Sequence, residues 1–303
     1  MPDLRFDERV VIITGAGGGL GRSHALELAR RGARILVNDP GSAVDGSGSS
    51  TFAADRVVEE ITALGGIAAP NRDSVATAEG GQAIVQGALD AFGRVDVLIN
   101  NAGILRDKAF HKMDQAMIDA VIDVHLKGAF YVSQPAFSAM RAQGYGRIVN
   151  TTSASGLFGN FGQANYGAAK SGLAGLTRVL AIEGAGHGIR VNAIAPVAAT
   201  RMTQDILGED LVSKVSPESV SPLVAFLSHE DCPVNGHIYS VAGGRIARVV
   251  VVETHGVVLT ENTPEAIRDL LPLIDELDIS EYHQPASLED EMAIIAKALT
   301  QGS

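Results

Sequence analysis

Three side chains between residues 153 and 170 have the types and the spacing of a proton-transfer site: Ser153, Tyr166 and Lys170. Tyr166 and Lys170 are four residues apart, so on a helix they share one face, one turn apart. A lysine ammonium that close favours the phenolate, so we expect it to lower the pKa of Tyr166 from the free value of about 10. The pair would then supply a general base or acid near neutral pH.

Ser153 follows an apolar run, residues 147–150, that predicts the end of a strand. A hydroxyl at that place can hydrogen-bond the oxygen whose proton Tyr166 handles. Taken alone, a tyrosine and a lysine four residues apart are more often an ordinary pair on a helix surface. The catalytic interpretation therefore depends on a glycine-rich segment about 150 residues upstream.

A strand, a glycine-rich turn and a helix follow one another near the start of the chain. The β-branched run at residues 10–13 predicts a buried parallel strand, and residues 14–21, TGAGGGLG, lead from it into a helical pattern at residues 22–31. Glycines let the backbone approach a pyrophosphate, and the N-terminus of a helix attracts its charge. In this frame the segment predicts a dinucleotide site rather than a merely tight turn.

Asp39 ends the second predicted strand, residues 34–38, about 20 positions past the glycines. A carboxylate there can accept hydrogen bonds from the adenosine ribose hydroxyls and repel a 2′-phosphate. The position therefore indicates NAD rather than NADP as the cofactor. The alternative is that Asp39 only starts a turn before Pro40.

The next two predicted strands bring further polar residues to the same region. The strand at residues 67–71 contains Pro70, which confines it to a sheet edge. Asp73 and Ser74 follow it where an adenine would lie, or Asp73 only caps the next helix. The fourth strand ends in Asn100-Asn101-Ala102-Gly103, and small and amide residues there suit the crevice where ligands bind in parallel sheets.

Strands and helices alternate throughout the first 245 residues, which predicts a doubly wound parallel α/β sheet, a Rossmann fold. The helix at residues 164–183 carries Tyr166 and Lys170. Asp114 is predicted to cap a long helix before it. The seven predicted strands cover residues 10–13, 34–38, 67–71, 95–99, 146–152, 190–195 and 238–242.

Composition excludes several classes of protein. A chain of 303 residues with 46% hydrophobic residues can form one large α/β domain or two small ones. The single cysteine, Cys232, excludes a disulfide framework and fits a reducing compartment. No apolar stretch approaches about 18 residues, and no signal-peptide pattern is present. The net charge of −11 argues against a nucleic-acid partner. We therefore expect a cytoplasmic protein without a membrane span.

The end of the chain differs from the rest in charge. Residues 246–303 hold 11 acidic and 3 basic side chains, a net charge of −8, which leaves −3 for the first 245 residues. Thr263 before a proline predicts a helix start, and Ser287 with Asp290 predicts a capping box before an apolar stripe. We predict two domains: residues 1–245 for dinucleotide binding and catalysis, and a mostly helical extension.

These motifs together resemble those of the short-chain dehydrogenase/reductase family, over residues 7 to about 245. A narrower resemblance covers the whole chain, in segments such as NNAGILRDKAF and SASGLFGNFGQANY. It is to the (3R)-hydroxyacyl-CoA dehydrogenase units of peroxisomal multifunctional β-oxidation enzymes. The chain shows no hydratase or sterol-carrier module, and its last residues, TQGS, are no peroxisomal address. We therefore expect a free-standing, bacterial-type counterpart.

The resemblance implies NAD-dependent oxidation of a (3R)-hydroxyacyl-CoA thioester in fatty-acid β-oxidation. Ser153 would polarise the substrate oxygen, Tyr166 would act as acid and base, and Lys170 would assist it and hold the nicotinamide ribose. It also implies a homodimer in which residues 246–303 help to cover the partner's active site, and no metal is expected. The implied cofactor-binding residues are Gly15, Gly19, Leu20, Gly21, Asp39, Asp73, Ser74, Asn101, Ala102, Gly103, Tyr166, Lys170, Val197 and Thr200.

Two positions depart from the family pattern. His125 stands where the wider family has an asparagine that serves as a fourth catalytic residue, although the multifunctional branch also has histidine there. A histidine in a packed helix is more often structural, so we assign His125 no catalytic role. Val197 stands where the family commonly has glycine. The resemblance then gives the nicotinamide amide contact to the Val197 backbone and places Thr200 near the phosphates.

Three other functions remain open at this point. They are a 17β-type hydroxysteroid dehydrogenase, an NADPH-dependent 3-oxoacyl reductase, which Asp39 disfavours, and a non-catalytic cofactor-sensing protein, which the intact serine, tyrosine and lysine disfavour. A set of basic residues near the crevice suits an anionic CoA handle better than an uncharged steroid. These residues are Arg106, Lys108, Lys112 and Arg201.

Overall fold

The computed structural model describes residues 3–48, 52–199 and 214–276 of the chain. The chain divides into two units, residues 1–248 and 249–303. In the described ranges, no helix is both long and apolar enough to cross a bilayer.

Seven parallel strands form the centre of the first unit. Their order is β3-β2-β1-β4-β5-β6-β7, so the direction of winding reverses between β1 and β4. The predicted doubly wound parallel sheet is confirmed, and among the described strands β3, with Pro70, pairs with β2 alone. The strands are β1 (Val10–Thr14), β2 (Arg34–Asn38), β3 (Ile67–Asn71), β4 (Val97–Asn100), β5 (Gly146–Thr151), β6 (Ile189–Pro196) and β7 (Ile238–Ala242).

An eighth strand, β8 (Arg245–Val249), lies beside β7 and adds to the seven that the sequence predicts. Gly243 and Gly244 connect the two strands, with φ values of +52° and +85°. A two-residue loop with two positive φ angles is a type I′ turn, which reverses the chain direction at a tight hairpin. The Gly-Gly pair is a hairpin signal that the seven-strand prediction did not use.

Helices cover both faces of the sheet. Thr77 caps α3 by accepting the Gly80 N–H at 3.0 Å, so the alternative in which Asp73 caps this helix is wrong. Asp114 caps α4 as predicted, and a π-helical turn, Asp123–Lys127, joins α4 to α5. The helices are α1 (Gly19–Arg30), α2 (Phe52–Ala63), α3 (Ala78–Phe92), α4 (Gln115–Ile122), α5 (Gly128–Gln143), α6 (Ala154–Phe158), α7 (Ala164–Ala185), α8 (Ser221–Ser228) and α9 (Pro264–Ile274).

Alternate residues of β1 enter two separate cores. Val11 and Ile13 pack with residues of α1, α2 and α8, whereas Val10 and Ile12 pack with residues of α3, α5 and α7. All four side chains are fully buried, and each such burial stabilises the fold by about 1.5–3 kcal/mol. Because helices cover both faces, the carboxyl ends of the strands are the place left for a ligand.

The second unit begins at the last residue of β8 and contains α9. Thr263 caps this helix as predicted, accepting the Ala266 N–H at 3.1 Å, and the Thr254 hydroxyl donates to the Ile274 carbonyl at 2.8 Å. The helix predicted after Ser287 lies outside the described residues. The domain boundary at residue 245 and the role of the extension in a dimer remain predictions.

Candidate active site

A cavity of about 560 Å³ opens at the carboxyl ends of β1, β2, β4, β5 and β6, where the strand order reverses. Most of the predicted site residues line it, although they come from separate segments of the chain. Gly21 and Asp73 do not line it, and Thr200 lies outside the described residues. The predicted residues in its wall are Gly15, Gly19, Leu20, Asp39, Ser74, Asn101, Ala102, Gly103, Ser153, Tyr166, Lys170 and Val197.

The glycine-rich turn packs against the end of β4. Gly15 has a φ of +64°, and a Cβ atom there would lie 2.7 Å from the Cα of Ala102. A Cβ atom on Gly21 would collide with the Gly15 carbonyl oxygen and the Asn101 side chain. Gly21 therefore permits close packing of α1 on the turn, while Gly15 lies in the cavity wall itself.

The first turn of α1 is free to bind an anion. Its N-cap, Gly18, has no side chain, and no acidic residue lies in its first turn, whereas Thr77 and Asp114 cap α3 and α4. Gly18, Gly19 and Leu20 all line the cavity. The leading N–H groups of a helix need an acceptor from outside the helix. This part of the cavity therefore fits a pyrophosphate.

Asn101 and Thr14 hold the glycine-rich turn in place. The Asn101 amide donates to the carbonyl oxygens of Thr14 and Gly15, at 2.9 and 3.1 Å. The Thr14 hydroxyl accepts the N–H groups of Asn101 and Ala102, both at 3.1 Å. Thr14 is absent from the predicted site residues, although it begins the glycine motif. These bonds give the turn one fixed position on the sheet.

Asp39 lies at the rim of the cavity, and both of its oxygens are fixed by backbone donors. Oδ2 accepts the Gly17 N–H at 2.8 Å, and Oδ1 accepts the Gly41 N–H at 2.7 Å. A carboxylate held in this way can accept hydrogen bonds from ribose hydroxyls at a defined place. Asp73 accepts instead from the Asn71 amide at 2.8 Å, and its carboxylate lies away from the cavity.

The serine, tyrosine and lysine meet in one wall of the cavity. Lys170 is 3% exposed, and its Nζ donates to the Thr151 carbonyl at 2.5 Å and lies 5.5 Å from the centre of the Tyr166 ring. The Ser153 hydroxyl accepts the Ser155 N–H at 3.2 Å and so stands at the start of α6. Burial lowers the pKa of Lys170 to about 7.

The expected lowering of the Tyr166 pKa is wrong. Burial raises the pKa of Tyr166, and a hydrogen bond with Ser153 opposes that rise without overcoming it. Two causes explain the difference from the sequence prediction. The phenol is itself largely desolvated, which disfavours the phenolate. Lys170, for its part, is held by the Thr151 carbonyl, and its own charged form is weakened by burial.

His125 lies in the π-helical turn and contacts two parts of the site. Its Nε2 lies 3.0 Å from the Ile104 nitrogen and 2.8 Å from the Ile104 oxygen, and its ring meets the Tyr166 ring edge-on with centroids 5.1 Å apart. Burial, and then the charge of Lys170, hold the pKa of His125 well below its usual range. The neutral ring therefore supports the loop after β4 and one face of Tyr166.

Asn165 is a site-supporting residue that the sequence prediction missed. It is buried in the first turn of α7, and its amide donates to the carbonyl oxygens of Arg106 and Met117 at 3.1 and 3.0 Å. Its own oxygen accepts the Tyr166 N–H at 2.8 Å. The available signal was a polar side chain directly before Tyr166, which by itself does not distinguish a buried residue from an exposed one.

The basic set after β4 does not converge on the cavity. Arg106 lines it and donates to the carbonyl oxygens of Asp45 and Ala116 at 2.9 and 3.4 Å. Lys108 and Lys112 are exposed and lie outside its wall, and Arg201 is not among the described residues. Of the cations named from the sequence, Arg106 is therefore the one that a ligand in the described part of the cavity would meet.

Comparisons with known proteins point to one family. A sequence model described as short chain dehydrogenase matches residues 9–210. The peroxisomal multifunctional enzyme type 2 of Mus musculus is 48% identical over 300 residues, which are 98% of this chain and 40% of that protein. The short-chain type dehydrogenase/reductase Rv0148 of Mycobacterium tuberculosis is 51% identical over 270 residues, which are 89% of this chain and 93% of that protein.

A solved structure shows the same similarity in three dimensions. The full-length peroxisomal multifunctional enzyme type 2 of Drosophila melanogaster superposes with a TM-score of 0.83 and 37% identity. The match covers 98% of this chain and 50% of that one. The chain thus spans about half or less of the two multifunctional enzymes and nearly the whole of the mycobacterial protein.

Proposed function

Because the chain belongs to the short-chain dehydrogenase family of nicotinamide-nucleotide oxidoreductases, we propose that it is an NAD-dependent dehydrogenase. Its substrate is a secondary alcohol, a (3R)-3-hydroxyacyl-CoA, which it oxidises to the ketone with Ser153, Tyr166 and Lys170 as catalytic residues. One observation carries the proposal: these three residues share a cavity with an uncapped helix N-terminus and a fixed rim carboxylate.

Each residue has a separate task in the proposed reaction. A bound nicotinamide would supply the hydride acceptor. Tyr166 takes the hydroxyl proton of the substrate during oxidation and returns it during reduction, while the Ser153 hydroxyl holds the same substrate oxygen. When Lys170 is protonated, it lies close enough to Tyr166 for its positive charge to favour the phenolate form of the tyrosine. Because the pKa of Tyr166 is raised, oxidation is expected to become faster as the pH rises and reduction to become slower.

Asp39 supports NAD as the cofactor. Its oxygens are held by the Gly17 and Gly41 N–H groups, so the carboxylate cannot turn away from a group placed on the neighbouring ribose. A 2′-phosphate there would meet a fixed negative charge, whereas free ribose hydroxyls would find acceptors. NADP is therefore expected to bind more weakly than NAD.

Similarity to the multifunctional enzymes supports the acyl-CoA substrate. The matches to the mouse and fly proteins cover nearly all of this chain. Arg106 in the cavity wall offers a cation for an anionic substrate. We further propose a homodimer, a cytoplasmic location and a role for residues 246–303 at the active site.

Steady-state assays test the substrate and the cofactor together. Matched (3R)- and (3S)-hydroxyacyl-CoA esters of several chain lengths and a 17β-hydroxysteroid are compared with NAD and with NADP. We expect preference for the (3R) ester and for NAD, and a KM for the ester that rises with salt because exposed charges are screened over about 8 Å. Much more efficient turnover of the steroid would replace the acyl-CoA assignment with a hydroxysteroid dehydrogenase.

A further inference from the structure

A second cavity, of about 430 Å³, lies next to the rim carboxylate, and Asp39 lines both cavities. We call it the α1–α2 recess, because its charged lining comes from α1 (Arg22) and α2 (Arg56 and Glu60) as well as from Asp39. A substituent on a ribose held by Asp39 would lie beside this recess.

The recess contains guanidinium groups of the kind that recognise phosphate. Arg22 and Arg56 both line it, and arginine binds phosphate through a planar fork of N–H donors. Arg56 is exposed, and its side chain has no hydrogen bond or ion pair within the described ranges of the chain. The recess therefore carries the donors for a 2′-phosphate although Asp39 stands at its mouth.

Glu60 forms an ion pair with one of these guanidinium groups, that of Arg22. The Arg22 Nε donates to Glu60 Oε1 at 3.0 Å, and Arg22 Nη2 makes a second bond to Glu60 Oε2. Both bonds use N–H donors of the Arg22 guanidinium, which are the donors that a phosphate would need. The two side chains are 39% and 40% exposed, so solvent screens the pair. The contribution of this ion pair to the stability of the fold is therefore small.

We infer that Glu60 is a second determinant of cofactor choice, which excludes a 2′-phosphate by holding Arg22. Discrimination against NADP then has two parts: Asp39 repels the phosphate, and Glu60 withholds the cation that would bind it. This inference rests on the proposed function only in placing an adenosine ribose at Asp39. It goes beyond that function because it assigns specificity to a residue on α2 outside the cofactor cavity.

Calorimetric titration of the full-length protein with two small probes tests the inference without any turnover. Adenosine 2′,5′-bisphosphate carries the 2′-phosphate, and adenosine 5′-monophosphate (AMP) lacks it but is otherwise identical. We expect Glu60→Gln to strengthen binding of the bisphosphate by about three- to fivefold, since an exposed ion pair contributes up to about 1 kcal/mol. Binding of AMP should not change. The gain should disappear when Arg22→Ala is added to Glu60→Gln.

Two further variants separate pairing from net charge. Glu59→Gln removes the same charge from the neighbouring, exposed position of α2 and is expected to leave both affinities unchanged. Glu60→Asp keeps the charge but shortens the side chain, so it should give part of the gain. Thermal unfolding of each variant verifies that it is folded. If Glu60→Gln does not fold, Glu60→Asp takes its place in the titrations.

The outcomes separate this inference from the proposed function. Equal affinity of the unaltered protein for both probes, an equal gain from Glu59→Gln, or a gain that survives Arg22→Ala would each overturn the role of Glu60. Absence of any NAD-dependent alcohol oxidation, together with a gain that depends on Arg22, would instead overturn the dehydrogenase assignment and leave the role of Glu60 in place.

Discussion

Two polar clusters lie at opposite ends of the parallel strands, and they differ in how many of their polar atoms have hydrogen-bond partners. At the amino ends of the strands, the buried carboxylate of Asp96 accepts four bonds, from Arg9, Arg94 and the Val10 N–H, at 2.7 to 3.2 Å. At the carboxyl ends, buried atoms such as His125 Nδ1 and Thr151 Oγ1 have no partner among the described residues.

The difference separates a structural cluster from a functional one. A buried charge is tolerated when hydrogen bonds satisfy it, and the Asp96 cluster meets this condition. In the proposed catalytic cluster Lys170 is buried with a pKa lowered to about 7, so no opposite charge compensates its charged form. Groups left in that state are typical of sites that a ligand completes. Substitutions in the first cluster should therefore reduce stability, and those in the second should reduce activity.

The largest effect is expected from Tyr166→Phe. This change removes one hydroxyl and almost no packing, so the rate of alcohol oxidation should fall by about 10²–10⁴-fold while the thermal midpoint stays nearly constant. NAD affinity should also be nearly unchanged. Tyr131→Phe on α5, outside the cavity wall, is the matched control and should keep the full rate. A variant at position 166 with near-normal kcat would remove Tyr166 from its role as acid and base.

Asp96→Asn should show the opposite profile. Loss of the charge leaves two arginines and one N–H facing an amide, and we expect the free energy of unfolding to fall by about 2–3 kcal/mol in urea titrations. The figure is below that for a fully buried pair because the arginine side chains are partly exposed. Well below the unfolding midpoint, kcat should not change. The control is Asp90→Asn, an exposed carboxylate on α3.

The stability of the unliganded protein should depend on pH through Lys170. In the folded state the pKa is about 7, against a normal value of 10.5, so between these values the unfolded chain binds more protons. The free energy of unfolding should therefore rise as the pH rises from 7 to 10, by about 1 kcal/mol per unit, with no such slope below pH 7. Lys170→Met should lose this slope, and an unchanged slope would show that Lys170 is not its source.

The smallest effect is expected from His125→Asn. An asparagine amide can donate to the Ile104 oxygen or accept from its N–H, as the neutral histidine does. We expect kcat to change by less than about threefold, because this replaces one neutral hydrogen bond by another of about 1 kcal/mol. His125→Ala loses both the bond and the ring that meets Tyr166, so it should be slower than His125→Asn. Equal kcat values for the two variants would show that the Ile104 contact is dispensable.

Local patterns predicted much of this fold. The β-branched run of β1, the glycines after it and the helical pattern of α1 lie side by side in the sequence, and each requires only its neighbours. The same holds for the caps at Asp114 and Thr263. Residues 153, 166 and 170 were identified because a glycine-rich dinucleotide motif accompanies them, since a tyrosine and a lysine four residues apart are common on their own. Their meeting in one cavity follows from the order of the parallel strands.

Properties that depend on distant contacts were not predictable in this way. The raised pKa of Tyr166 results from burial by segments far away in sequence, so a nearby lysine gave the wrong direction. The bond between Arg22 and Glu60 joins two helices, and neither residue has a sequence signal of its own. His125 was judged structural, and its contact with Tyr166 depends on a π turn that no periodicity indicates.

The π turn also changes the direction in which the two halves of its helix face. In an uninterrupted α-helix, residues 11 positions apart differ in direction by only about 20°. Val121 and Val132 have this spacing, yet Val121 packs with Ile104 and Ala169 beside the site and Val132 packs with the core under the sheet. The turn thus acts as a phase shift between two packing environments. A one-residue deletion within 123–127 would restore the regular α-helical phase. Val121 and Val132 would then face nearly the same direction, and only one of the two packing environments could be kept.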